Sequence, residues 1–343
     1  MKVEEWFEKN KFKAKSFSDI KRLIKLKKEQ NLKISLCVPT LNEGATIGKV
    51  IDILKSRLMD EHKLIDEFIV VDSGSTDNTK DETEKRGVTF FSASKVLKNY
   101  GDLKGKGENL WKSLYVTTGD IIVWVDADIK NIHPRFVYGL VGPLLTHPNI
   151  SFVKAFYQRP IKVGEELVPL GGGRVTELTI RPLFNMYFPR LSGFIQPLSG
   201  EYAGRRYHLE RIPFFTGYGV ETGMLIDFVK KFGLKSIAQV DLVKRVHRNS
   251  PLASLSRMAF GILQVFAKRA NALGKYILVR KPRDTIRIIE HRRDGSHNLV
   301  KRKIVDVERP PMIIIDEYRE RFKLDPEWVY EDDLGKKKSY QSE

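Results

Sequence analysis

Short apolar, β-branched runs recur along the chain with helical spacing between them: Ile34–Val38, then Ile47, Val50, Ile51 and Leu54, then Phe68–Val71. A polar helix ending near Arg86-Gly87, a strand at Val88–Phe91, a helix carrying Leu110, Trp111 and Leu114, and a strand at Ile121–Val125 continue the series. Strands that alternate with amphipathic helices predict an α/β fold with a Rossmann-like, mainly parallel sheet and helices on both faces. This pattern occupies residues 31–150. Before it, residues 1–30 place Phe17, Ile20, Leu23 and Ile24 at spacings of three and four, which predicts a helical arm packed on the main body. Residues 151–275 mix an extended run, Phe152–Tyr157, with helices and the glycine-rich Gly171-Gly172-Gly173-Arg174. From 276 to 343 the pattern turns irregular, with Pro310-Pro311, a strand-like Ile313-Ile314-Ile315 and a polar end at Lys336-Lys337-Lys338, so a partly docked extension with a frayed tip is expected.

Parallel sheets bind ligands beyond the carboxyl ends of their strands. The residues that follow each apolar run are therefore the ones to read for chemistry. They are Pro39-Thr40-Leu41-Asn42-Glu43, Asp72-Ser73-Gly74-Ser75-Thr76-Asp77 and Asp126-Ala127-Asp128. The last places two carboxylates on one side of an extended segment, where they can share a hard divalent cation bound to a diphosphate. Unpaired acids at the end of a buried strand are costly unless a cation or ligand meets them. Ser75 and Thr76 serve equally well as a helix cap or as ligand contacts. Gly105-Lys106-Gly107 opens a helix with a cation at its positive end, which suits an anion.

Charge sharpens this picture. Sixty Lys and Arg against 43 Asp and Glu leave a net +17, which favours anionic partners: nucleic acid, an acidic membrane surface or phosphorylated small molecules. The composition, 41% hydrophobic, is that of a globular chain. The one cysteine, Cys37, lies inside an apolar run and reads as a small buried hydrophobe. The first residues lack the apolar core of a signal peptide, and no apolar run approaches the roughly 18 residues of a membrane span, so a cytosolic protein is expected.

Further along, Gly171-Gly172-Gly173-Arg174-Val175-Thr176-Glu177 can form an anion nest, with backbone N–H groups, a guanidinium fork and a hydroxyl; a flexible hinge is the competing reading. Tyr218-Gly219-Val220-Glu221 sets an acid at a helix start, where it is either a dipole partner or a ligand contact. His247 in His247-Arg248-Asn249 is either a metal ligand or a structural histidine. No Walker loop, GxGxxG, Ser/His/Asp order, cysteine nucleophile or zinc helix can be assembled. A metal-assisted nucleoside-diphosphate site beside a second anion site remains, which implies group transfer from an activated donor to an anionic acceptor.

These stretches, together with Gly105–Trp111, Gln196–Tyr202 and Gly217–Glu221, closely resemble the glucosyl-3-phosphoglycerate synthases, retaining glycosyltransferases of GT-A fold. The matching motifs run in order from about 31 to 255. The resemblance implies that UDP-glucose lies across Pro39, Thr40, Leu41, Glu43, Ser73 and Lys106, with Ala127 and Tyr218 alongside. It implies that Asp126 and Asp128 serve the ribose and an Mg²⁺ ion, for which Mn²⁺ or Co²⁺ can substitute, and that His247 completes the metal site. Gly173, Arg174, Thr176 and Asn249 then hold 3-phosphoglycerate, Glu221 holds sugar hydroxyls, Arg245 lies near the phosphates, and the Leu198 carbonyl assists a front-face transfer to the acceptor 2-hydroxyl. By the same resemblance the chain is a homodimer, and its product feeds glucosylglycerate synthesis. Residues 31–150 become the nucleotide-sugar-binding region and 151–275 the acceptor-binding region. The chain departs from the family at Ser250, where Arg is frequent, and the resemblance is not extended to 276–343.

Two alternatives follow. One is the mannosyl-3-phosphoglycerate synthase reaction with GDP-mannose, or use of both donors. The other is a nucleic-acid or membrane-surface binding protein built on the basic arm and tail. Its weakness is that aromatic residues do not interleave with Lys and Arg in an RNA-binding pattern.

Overall fold

The computed structural model describes all residues except 164–165, 169–171, 247–250, 292–296 and 326–343. Gly171, His247, Asn249, Ser250 and the Lys336–Lys338 run therefore lie outside the described residues.

The strands in chain order are β1 (Lys11–Lys13), β2 (Ile34–Thr40), β3 (Glu67–Asp72), β4 (Thr89–Ser92), β5 (Ile121–Trp124), β6 (Phe152–Gln158), β7 (Ile161–Val163), β8 (Glu166–Val168), β9 (Tyr202–Arg205), β10 (Phe214–Phe215), β11 (Ile237–Lys244), β12 (Thr285–His291), β13 (His297–Lys303) and β14 (Glu308–Arg309). Eight of them form one sheet in the order β1-β11-β6-β9-β5-β2-β3-β4. All its pairings are parallel except those of β9, which is antiparallel to both β5 and β6. Because β9 reverses twice over, β5 and β6 point the same way. The carboxyl ends of β2, β3, β5, β6 and β11 therefore share one edge, and the chain enters β9 from that edge.

The side-chain alternation of a strand divides the core in two. Leu36, Val38, Val70 and Val123 pack on one face of the sheet, and Cys37, Ile69, Val71, Ile122 and Trp124 on the other. Burial on both faces explains why these strands read as continuous apolar runs. Cys37 is fully buried, and that burial pushes its thiol up.

Three departures from the sequence reading stand out. The arm is not helical throughout: β1 joins the sheet edge beside β11, and Trp6 on the preceding helix Val3–Lys9 donates to the Ile237 carbonyl at 2.8 Å. The strand β9 was not foreseen. Ile313-Ile314-Ile315 is not a strand, for Met312–Ile314 forms a 3₁₀ turn after Pro310-Pro311 and buries Met312 and Ile315. The segment around it is docked: β14 pairs with β10, and the Trp111 indole donates to the Pro310 carbonyl at 2.8 Å. Among the described residues, no helix is long and apolar enough to cross a membrane.

Candidate active site at the strand ends

At the ends of β2 and β3 the two motifs read from the sequence hold each other. Thr40 Oγ1 donates to Asp72 Oδ1 at 2.8 Å, and Asp72 Oδ2 accepts the N–H groups of Gly74 and Ser75 at 2.8 and 2.7 Å. Asn42, at φ 56°, donates its N–H to Ser75 Oγ and accepts from the Thr76 N–H. Ser75 is thus a structural member of the turn. Ser73 Oγ donates to Asn109 Oδ1 at 2.8 Å, while the Asn109 amide donates to the Thr40 and Val71 carbonyls. Asn109, on the helix Lys106–Val116, ties both strand ends to the helix that begins with Lys106.

Beyond β5, Asp126 and Asp128 meet two cations. Arg245 Nη2 lies 2.9 Å from Asp126 Oδ2 and 2.7 Å from Asp128 Oδ1. Lys106 Nζ lies 2.7 Å from Asp126 Oδ1 and 3.3 Å from Glu221 Oε1. Burial favours the protonated form of Asp126, but Lys106 and Arg245 outweigh it and hold the carboxyl well below its ordinary value. Burial disfavours the Lys106 ammonium too, yet Asp126 and Glu221 hold it above its usual range. Glu43 is pushed up by burial and by the nearby Asp128 and Asp126, with its hydrogen bond from Thr46 opposing. Gly200 makes the cluster possible: a Cβ there would come within 2.0 Å of Asp126 Oδ2 and 2.6 Å of Lys106 Nζ.

A layer of buried polar groups supports this one. Glu201, 0% exposed at the entry to β9, faces Arg245 Nε at 3.3 Å and accepts from Tyr157 Oη at 2.5 Å. Burial pushes its carboxyl up, with Arg245 opposing. Lys154, buried on β6, lies 4.2 Å from the Tyr202 ring and donates to the Ser199 carbonyl; burial lowers its ammonium to about 7. The turn carrying Leu198 is clamped to β6 by Gln196 Nε2 on the Tyr157 carbonyl at 2.6 Å and Ser199 Oγ on the Ala155 carbonyl at 2.6 Å. Arg245 is aimed by a bulge in β11, where the register slips between Asp241 and Lys244. Within the bulge Val243 takes φ 73°, a costly conformation for a β-branched residue and one that marks functional sites.

The metal expectation can be tested against these groups. Among the described residues, no cluster of three or more His, Cys, Asp or Glu could hold an ion. One cationic nitrogen nevertheless sits within hydrogen-bond distance of both Asp126 and Asp128, so the two hard oxygen donors converge on a single point. That donor pair fits Mg²⁺ or Mn²⁺, which keep several water ligands and take one or two carboxylates beside substrate phosphates.

The glycine stretch connects to the same network. The Gly172 N–H donates to the Arg159 carbonyl at 3.0 Å, and Arg159 Nη2 donates to Tyr157 Oη at 3.1 Å. Gly173, at φ 84°, leads into a helical turn with Arg174 exposed and Thr176 only 3% exposed. Buried Arg159 Nε has no hydrogen-bond partner among the described residues. Tyr218 is 55% exposed and Leu41 is 52% exposed, while Ala127 is buried; Pro39 is half-buried near the end of β2. The structure thus gathers Thr40, Glu43, Ser73, Lys106, Asp126, Asp128, Glu221 and Arg245. The positions of His247 and Asn249 lie outside the described residues. Sequence reasoning passed over Asn109, Lys154, Tyr157, Arg159 and Glu201, of which Asn109 and Glu201 lay inside quoted motifs without a role.

Comparison with known proteins agrees with this geometry. Residues 35–198 match Glycosyl transferase family 2. The glucosyl-3-phosphoglycerate synthase of Petrotoga mobilis is 55% identical over 92% of this chain and 96% of its own length. The Mycobacterium tuberculosis enzyme of the same name is 48% identical over 69% of this chain and 73% of its own. Its crystal structure with Mn²⁺, UDP and glucosyl-3-phosphoglycerate superposes with a TM-score of 0.75 at 39% identity, covering 86% of this chain and 95% of that one. The mannosyl-3-phosphoglycerate synthase of Rubrobacter xylanophilus superposes with a TM-score of 0.83 at 37% identity, covering 92% and 98%. With the cation-flanked carboxylates at the ends of a mainly parallel sheet, these likenesses place the chain in the glucosyl-3-phosphoglycerate synthase family of nucleotide-sugar-dependent glycosyltransferases.

Proposed function

We propose that the chain transfers glucose from UDP-glucose to the 2-hydroxyl of 3-phosphoglycerate with retention of configuration, in an Mg²⁺-dependent reaction. The observation that carries this reading is the placing of Lys106 and Arg245 on either side of Asp126 and Asp128 at the ends of the strands. Fixed cations there stabilise the charge that develops on a departing diphosphate. Asp126 and Asp128 would hold the metal, which supplies further charge neutralisation on the diphosphate. Thr40, Glu43 and Ser73 border the nucleotide, and Glu221, held by Lys106 and 3.5 Å from Tyr202 Oη, orients the sugar. Gly173, Arg174, Thr176 and Asn249 form the acceptor site, to which Arg159 adds a guanidinium.

In the transfer the bond from glucose C1 to the β-phosphate oxygen breaks, and a bond from C1 to the glycerate 2-oxygen forms on the same face. The hydroxyl proton passes to the departing phosphate oxygen, and UDP leaves. Glu221 is tied to Lys106 and Tyr202, which favours this front-face route over a covalent one and leaves the clamped Leu198 turn to orient the attacking hydroxyl. Solved relatives bound to UDP-glucose with phosphoglyceric acid, and to Mg²⁺ with UDP, support the substrates and the metal. A homodimer, which rests on the family resemblance, and a cytoplasmic site of action belong to the same proposal.

The mannosyl synthase superposition favours GDP-mannose as the second reading. Both are tested by nucleoside-diphosphate release with UDP-glucose or GDP-mannose, with and without 3-phosphoglycerate, in Mg²⁺ or in EDTA. Acceptor-dependent, EDTA-sensitive UDP release is expected. Release of GDP alone makes the mannosyl reading correct, and no acceptor-dependent release from folded protein overturns both.

A further inference from the structure

The segment after the β12–β13 hairpin reaches the candidate site from behind. Asp306 Oδ1 accepts the Gly217 N–H at 2.6 Å, and Asp306 Oδ2 accepts the Gly219 N–H at 2.8 Å. One carboxylate thus straddles Tyr218, whose side chain is exposed, and holds the N–H groups of the two glycines that flank it. The fit is close on both sides: a Cβ on Gly217 or on Gly219 would meet Asp306 oxygens at 2.8 or 2.9 Å.

Two elements of the site start from this loop. Gly219 is the residue before the helix Val220–Phe232, whose first turn carries Glu221. On the other side, the Thr216 carbonyl accepts the Glu108 N–H at 3.1 Å, in the first turn of the helix that begins with Lys106. Val307, the residue after Asp306, holds the loop in register: its carbonyl accepts the Thr216 N–H at 2.9 Å and its N–H donates to Thr216 Oγ1 at 3.0 Å. Lys106 and Glu221, which pair at 3.3 Å, are therefore set against one another through a loop whose turn is closed by Asp306.

We propose that Asp306 is a positioning residue of the transfer reaction: by holding Gly217 and Gly219 it sets Tyr218 and Glu221 against the donor sugar, and so gives the C-terminal extension one working residue at the donor site. This rests on the donor reading given above. The carboxylate is suited to the task because both of its oxygens accept. An amide in its place would turn an N–H toward one of the two glycine N–H groups and break the clamp.

The test compares Asp306→Ala and Asp306→Asn with the wild type and with Val305→Ser, a change at an exposed position on the same segment. Steady-state kinetics with UDP-glucose and 3-phosphoglycerate, thermal melting, and hydrogen exchange of the 214–222 amides without substrate are read together. Loss of positioning lowers kcat over KM for UDP-glucose by about tenfold or more in both Asp306 variants. The KM for 3-phosphoglycerate stays within about twofold, exchange of the 214–222 amides quickens, and Val305→Ser resembles the wild type. Unchanged kinetics in Asp306→Ala, a KM for 3-phosphoglycerate raised as much as that for UDP-glucose, or unchanged amide exchange overturns the inference. A wild type without turnover on UDP-glucose overturns the donor reading instead, and the exchange data then still decide whether Asp306 holds the loop.

Discussion

Gly200 shows how much of the site depends on a missing side chain. Its backbone passes so near Asp126 and Lys106 that Gly200→Ala must push the two charges apart. Turnover should fall at least about a hundredfold, since misplacing reacting groups by about 1 Å costs that much, while the melting temperature changes little. Near-normal turnover would show that the Lys106 to Asp126 contact is dispensable. Asp306 gives a second prediction, on pH. Burial lifts its carboxyl to about 6 against the opposing hydrogen bonds of Gly217 and Gly219, whereas an unfolded Asp titrates near about 4. Between those values the folded protein binds the extra proton, so the contribution of this group to stability is present below about 4 and is lost as the pH rises through about 6. Melting temperatures of wild type and Asp306→Asn, measured from pH 4 to 7, should therefore converge or cross as the pH rises; a constant difference contradicts the assignment. At this scale Asp126 and Asp128 were legible because acids directly after a buried strand need a partner. Lys154, Tyr157, Arg159 and Glu201 were not. Each is explained only by the strand beside it, and nothing in the local sequence says that β9 lies between β5 and β6.

The element scale repeats that lesson. The parallel strands β2, β3 and β5 were readable because burial on both faces leaves an unbroken apolar run. The three-residue β1 and the four-residue β9 are too short for any period to register, and both are fixed by what they pair with. The C-terminal extension was expected to dock in part, but how it docks was not legible for a related reason: its anchors are charged. Arg309 makes two bonds of 2.7 Å to fully buried Glu108, donates to the Tyr100 carbonyl, and stacks over Trp111. Lys112 also pairs with Glu108, at 3.1 Å. A buried carboxylate stripped of its main partner is costly, so Arg309→Met should destabilise the protein by about 3 kcal/mol. Denaturant unfolding measures this. A loss below about 0.5 kcal/mol, the size of a surface pair, would mean that the extension is not integral to the fold.

Across the whole molecule, the sheet brings to one edge what the sequence keeps far apart. Thr40, Asp72, Asp126, Tyr157 and Arg245 come from five strands or the residues just beyond them, and Asp306 closes the site from the far end of the chain. The net charge of +17 agrees with this reading, since both proposed substrates are anions and a positively charged protein raises their encounter rate. The central claim is that this cleft moves glucose from UDP to 3-phosphoglycerate and keeps its configuration. It is tested most directly by proton NMR of the product formed from UDP-glucose, 3-phosphoglycerate and Mg²⁺. An α-configured anomeric signal, with the glycerate 2-position as the linkage site, is the predicted result. A β-configured product, linkage elsewhere, or free glucose alone would contradict it.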